Sequence, residues 1–364
     1  MRRRRRLRSR PDLRLDHAAR QGRSANNFDL LRLLAATLVI AGHSFALTEE
    51  TGIGAAFAHE DLAELGVVVF FAISGFLVAR SWASDPKPLS FAMKRALRLM
   101  PALVVSLLLT ALVLGPLLTT LPLKTYLEDP GTKAYVLSNA TFQSDFGLPG
   151  MFAHVPYAGI VNGSLWTLPL ELKAYCVVLA LGLLGLFGRR RLLMPLAAIF
   201  FASLAVSSLR SAIPLGDRTV ALMENIQAPQ GIVARAHAGF FQEDARLFAS
   251  FAIGAALFAL ARWVPLRWSV ACALAAAWAV VAAVGSPDAV PIATAWLLPY
   301  VVLLLAYRTS HLVRLPRRMG DYSYGLYIIA FPVQQAIVQW LAPSSGWVTF
   351  VLAPGTCIGR TSFV

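Results

Sequence analysis

Charge is what this sequence has least of. Only 14% of its 364 residues are Asp, Glu, Lys or Arg, against about 25% in soluble domains. A soluble fold needs a charged surface, and this chain cannot build one. Cysteine is scarce too: Cys176, Cys272 and Cys357 are the full complement. None form a C-x-x-C pair and two lie in apolar runs, which leaves neither a disulfide framework nor a metal site to expect. The chain shows no repeat of fixed period, and its loops are too short for an appended soluble domain.

What it has in quantity is apolar surface. Hydrophobic residues make up 57% of the chain, and mean hydropathy is +0.62. They come in long blocks, and runs of about 18 or more apolar residues read as membrane spans. The expected class is therefore all-α, a polytopic transmembrane helical bundle of about ten spans. The candidates are 28–47, 63–82, 100–121, 165–187, 192–209, 246–262, 267–284, 289–307, 321–341 and 345–357, the last one short.

The positive charge gives this count an orientation. The net charge is +14, and much of it lies in MRRRRRLRSR and in Arg14, Arg20 and Arg23. A basic arm can bind nucleic acid. Here a span follows directly, so residues 1–25 read as a cytoplasmic tail touching anionic lipid. The first apolar segment is long enough to span and lacks a small-residue cleavage site, so it is no signal peptide. Every second turn is basic: Arg80, Lys87, Lys94, Arg95 and Arg98; then Arg189, Arg190 and Arg191; then Arg262 and Arg267; then Arg308, Arg314, Arg317 and Arg318. The turn 48–62 has Glu49, Glu50, Glu60 and Asp61 and no Lys or Arg. The longer loops 122–164 and 210–245 mix both signs. Such an alternation expects the amino terminus in the cytoplasm. Residues 26–357 form one membrane domain, followed by a short tail at 358–364.

Ionisable groups inside spans are costly, about 2.5–3.5 kcal/mol each on insertion scales, and mark candidate sites. Arg32 and His43 sit in one apolar run, NNFDLLRLLAATLVIAGHSF. Eleven residues at about 100° each make three turns plus roughly 20°, so the two share a stripe about 16 Å apart along the axis. Asp29 and Ala36 lie on the same side. The pair cannot touch, but it can contact two parts of one elongated ligand. A histidine titrates near neutrality and can accept a proton. Arg32 also admits a plainer reading, a snorkelling interfacial arginine. Glu171 enters a span in NGSLWTLPLELKAY, beside Trp166, which suits an aromatic belt. Arg95 and Arg98, in KRALRLMP, lie three apart on one helical face, where arginines can grip phosphates or simply mark the inner side.

These blocks resemble the acyltransferase-3 family of bacterial integral-membrane acyltransferases, from about Asn26 to Val338 and in the family's order. FDLLRLLAATLVIAGHS is similar to its first-helix signature, with Arg32 and His43. GVVVFFAISGFLVARS is similar to its second-helix block, with Phe70, Phe71, Ser74 and Gly75. KRALRLMP carries Arg95, Arg98 and Pro101; NGSLWTLPLELKAY carries Asn162, Ser164, Trp166, Glu171 and Tyr175; YSYGLYIIAFP carries Ser323, Tyr324, Tyr327 and Pro332. The last block commonly has a histidine where this chain has Ala330.

The resemblance implies a multi-pass protein of the bacterial inner membrane that moves an acyl group, often acetyl, to a hydroxyl of a cell-surface or exported glycan. It implies cytoplasmic acyl-CoA (acetyl-CoA) as co-substrate and no tightly bound cofactor. Catalytic roles then fall to His43, Arg32 and Glu171. Donor phosphates fall to Arg95 and Arg98. Ser74, Trp166, Tyr324 and Tyr327 belong to substrate-binding or structural motifs. The partners are the bilayer, the glycan and the donor. A proton-coupled transporter is the rival, since buried Arg, His and Glu suit it as well, but the inverted repeats of carriers are not seen.

Overall fold

The computed structural model describes residues 14–19, 26–50, 61–187, 245–284, 289–310, 322–343 and 345–358. The expected span 192–209, most of loop 210–245 and most of both terminal tails lie outside them. The helices in chain order are α1 (Leu15–Ala19), α2 (Phe28–Ala46), α3 (Leu62–Ser84), α4 (Pro88–Leu109), α5 (Leu123–Glu128) and α6 (Pro130–Ala140), then α7 (Thr167–Leu183), α8 (Ala245–Ala259), α9 (Trp268–Val284), α10 (Ala289–Arg308), α11 (Ser323–Leu341) and α12 (Gly346–Ile358). Among the described residues there is no named strand. Among the described residues, five helices are long and apolar enough to cross a membrane: Phe28–Ala46, Leu62–Ser84, Pro88–Leu118, Gly163–Leu183 and Ala289–Arg308. The chain is a multi-pass helical membrane protein; of the other expected spans, 192–209 lies outside the described residues, and α8, α9, α11 and α12 fall on the remaining four. α8 and α9 are apolar and shorter, and α11 carries Gln334, Gln335 and Gln339 among its apolar residues.

Two expectations are corrected in detail. The helix that holds the third expected span starts at Pro88, ahead of residue 100, so Lys94, Arg95 and Arg98 all belong to α4 rather than to the turn before it. Lys and Arg are good helix formers, so the end of an apolar run does not end a helix. The stretch 122–164 is also not a plain loop, since α5 and α6 lie within it.

The chain divides into two compact units. The first takes Met1–Phe28, Val68–Pro86 and Lys173–Arg314. In it α8 and α9 pack on α10. α3 meets α8 at small residues: a Cβ on Gly75 would run into the Phe251 carbonyl, and one on Gly254 into that of Ala72. Such close backbone approach is how helices associate in lipid, where little hydrophobic force acts between them. Ser250 adds a bond from Oγ to the Val68 carbonyl, 3.0 Å. Phe28, Phe76, Phe258 and Tyr307 form an aromatic cluster of edge-on pairs.

The second unit takes Asp29–Val67, Lys87–Leu172 and Leu315–Val364. α11 is its centre and packs against α4 and α12. The start of α3 lies on α2 through glycines, with Gly66 against the Ala35 carbonyl and Gly42 against Ala63. α4 continues through a π turn, Thr110–Leu114, into a last turn at Gly115–Leu118. In a π turn the Ala111 carbonyl looks to the amide five residues on, which is Pro116 and has no N–H. The Tyr126 hydroxyl supplies the missing donor at 2.7 Å. One flank of α4, with Leu97, Val105, Leu108 and Leu112, is exposed, an apolar stripe of the kind lipid covers.

Candidate functional site

Most sequence-predicted site residues fall in the second unit, on α2, α4, α7 and α11. Arg32 lies one turn into α2 and is only 6% exposed, so it is buried in protein rather than snorkelling along a surface. Asp29 sits one turn before it with its carboxylate 3.9 Å away, a placement that also suits a carboxylate in the first turn of a helix.

His43 lies in the last turn of the same helix. Its ring meets Phe331 of α11 edge-on, with centroids 5.0 Å apart and planes at 81°. Its Nδ1 is buried with no hydrogen-bond partner among the described residues. Its neighbour Ser44 is held tightly. Gln334 donates from Nε2 to Ser44 Oγ at 2.6 Å and to the Ile40 carbonyl at 2.8 Å, and Ser44 Oγ donates to that same carbonyl. Gln334 is fully buried. It fixes α11 to the end of α2 one residue from the imidazole.

The asparagine and tyrosine motifs lock into one another. Pro332 has no N–H, so the Ile328 carbonyl four residues earlier lacks its helical donor. Asn162 Nδ2 at 2.8 Å and Ser106 Oγ at 3.2 Å take its place. Asn162 Oδ1 in turn accepts from the Ser164 amide and opens the 3₁₀ turn Gly163–Trp166. Tyr327 donates to the Ser164 carbonyl at 3.0 Å and lies 2.7 Å from the Thr167 hydroxyl. Glu171 lies one turn beyond Thr167, within electrostatic reach of Tyr327. Gly163 sits against the Phe331 ring, the same ring that His43 touches. Trp166 is partly exposed and Tyr324 is partly buried at the start of α11.

Arg95 and Arg98 are half-buried on α4. Arg95 lies 5.9 Å over the Phe91 ring, while Lys94 and Leu97 on the other flank are exposed. Ser74 falls in the first unit, 3.5 Å from the Tyr175 hydroxyl. Ala330, where the resembled family commonly has a histidine, is buried in an apolar cluster with Ile40, Ile337 and Ala353.

Sequence reasoning missed Gln334, Phe331, Thr167 and Ser106. Two signals were present: three glutamines in an apolar helix, and a proline that frees the carbonyl four residues before it.

Comparison with known proteins extends this picture. A family model described as an acyltransferase domain matches residues 26–360. An O-acetyl transferase of Shigella phage Sf6 is 27% identical over 343 residues, covering 87% of this chain and 87% of the relative. Nodulation protein 10 of Rhizobium leguminosarum bv. viciae is 28% identical over 340 residues, covering 89% of this chain and 85% of the relative. No solved structure gives a significant match.

Proposed function

This chain belongs to the acyltransferase-3 family and is an O-acyltransferase, and on that premise we propose that it moves an acetyl group from cytoplasmic acetyl-CoA to a hydroxyl of a cell-surface or exported glycan across the bacterial inner membrane. The relative named an O-acetyl transferase supports the acetyl group. The observation that carries the assignment to residues is α2 itself. One helix holds a buried arginine at one end and, about three turns away, an imidazole whose Nδ1 is buried and unpartnered among the described residues.

His43 takes the proton of the acceptor hydroxyl as its oxygen attacks the thioester carbonyl. The tetrahedral intermediate then collapses, the C–S bond breaks, and the imidazolium returns the proton to the leaving CoA thiolate. An acyl-histidine formed by direct attack is the second route. The donor's phosphates meet Arg95 and Arg98, or Arg32, on the cytoplasmic side. Glu171 stabilises the charge that develops near it.

The test is acyl transfer from labelled acetyl-CoA by the protein in proteoliposomes. His43→Ala is expected to insert normally and to lose about 10²- to 10⁴-fold in rate, the usual worth of a general base. Wild-type turnover in that variant rules His43 out as the base.

A further inference from the structure

A cavity of about 340 Å³ opens in the second unit where α2 ends. Leu47, whose amide bonds to the His43 carbonyl at 2.9 Å, and Val338 of α11 line it. Both pack on Phe331, the ring that His43 meets edge-on. The cavity is thus one residue's contact from the imidazole, at the opposite end of α2 from Arg32. α11 ends at its rim, at Ala342 in the left-handed conformation with Pro343 after it, and both residues line the cavity.

The lining decides what the cavity can hold. Thr48, Thr120, Gln339 and His154 bring hydroxyl, amide and imidazole groups, and Phe152 brings an aromatic face. Among the described residues that line it, none is Lys, Arg, Asp or Glu. A nucleotide donor with its phosphates finds no cation here. The volume is at the small end of ligand pockets, which run from about 300 to 1,000 Å³. Neutral hydroxyls against a mixed polar and aromatic wall suit one small uncharged polyol.

We infer that this cavity is the acceptor subsite and seats one uncharged sugar ring, with His154 and the side-chain oxygen of Gln339, whose Nε2 donates to the Leu118 carbonyl at 3.2 Å, as its hydrogen-bonding groups. This rests on the acyltransferase reading above, with the donor's phosphates on the cytoplasmic side, and it puts the glycan at the end of α2 away from Arg32. It also makes the acceptor's recognition separable from the donor's, since the two would bind at opposite ends of one helix.

The experiment uses the full chain in proteoliposomes, labelled acetyl-CoA, and two acceptor probes, a methyl hexoside and the matching methyl hexuronoside. Ala153→Trp fills the cavity from its exposed rim, and His154→Ala removes an exposed side chain whose loss leaves the packed interior intact. Each is expected to raise the KM for the methyl hexoside about tenfold or more, the worth of one well-made contact, while the KM for acetyl-CoA moves less than about twofold. The hexuronoside is expected to be the poorer acceptor. Acceptor KM values within about twofold of the parent in both variants would overturn the subsite, as would a hexuronoside acylated as well as the neutral sugar. A parent protein that hydrolyses acetyl-CoA but acylates no methyl hexoside also overturns it and leaves the acyltransferase reading standing. A parent that turns over no acetyl-CoA overturns that reading too.

Discussion

At Asn162 a single side chain joins two stretches of chain far apart in sequence. Its Oδ1 caps the 3₁₀ turn and its Nδ2 feeds the Ile328 carbonyl. Asn162→Ala therefore strands a fully buried carbonyl with Ser106 as its remaining donor. The expected cost is about 1–3 kcal/mol, read as a lower thermal midpoint in detergent. Tyr126 makes a similar repair on Ala111, and it lies outside the spans, where pH can be varied informatively. Burial pushes its phenol from the ordinary 10.0 up to about 12. The folded protein thus holds this proton more tightly than the unfolded chain. Its stabilising contribution is complete below pH about 10 and is lost as pH rises toward about 12. Tyr126→Phe is expected to lower stability at neutral pH and to flatten the alkaline fall, measured as melting temperature against pH. The arginines separate by kinetics. If Arg95 and Arg98 hold the donor's phosphates, reversing both to Glu raises the KM for acetyl-CoA, while Arg32→Gln raises it if Arg32 is the docking group. An unchanged acetyl-CoA KM in the reversed double variant removes that role from α4.

At the scale of elements, prolines and glycines set how the helices meet. Pro332 removes an N–H from α11 and so creates the need that Asn162 and Ser106 fill. Pro332→Ala restores the intrahelical donor. A double-mutant cycle is then expected to show Asn162→Ala costing less in the Pro332→Ala background than in the parent, with a coupling of about 0.5–3 kcal/mol. Strict additivity would mean that the proline and the asparagine act independently. Gly66 works by absence of bulk, since a Cβ there would lie 2.5 Å from the Ala35 carbonyl. Gly66→Leu is expected to push α3 off α2 and lower stability by about 1–3 kcal/mol, detectable as loss of folded protein on detergent extraction. Because Gly66 packs opposite the middle of α2, activity should fall with it even though no site residue has changed.

For the whole molecule, orientation decides which end of α2 meets which substrate. The proposed direction puts the amino terminus inside, the link 85–87 on the cytoplasmic face and the stretch after α6 outside. Cysteine substitutions at the exposed Pro86 and Gln143, in a background lacking Cys176, Cys272 and Cys357, provide the measurement. An impermeant thiol reagent added to intact cells is expected to label position 143 and to spare position 86. The reverse pattern would invert the topology, and donor and acceptor would then have to exchange ends of α2.

By itself the sequence determined the class, because scarce charge and long apolar blocks are properties of composition that no packing can alter. It also placed Arg32 and His43 on one helical stripe, since the period of a helix is local, and the order of its motifs carried the family. What it left out was contact. It put Arg95 and Arg98 on one helical face but began the apolar span after them because it followed hydropathy, whereas helix propensity starts α4 at Pro88. It could not see that Gln334 braces the turn holding His43, that Phe331 bears on the imidazole, or that Asn162 serves a carbonyl 166 residues away. Those pairings depend on which helix faces which. Only the tertiary structure decides that, because a buried polar group takes whatever partner the packing brings within hydrogen-bonding distance.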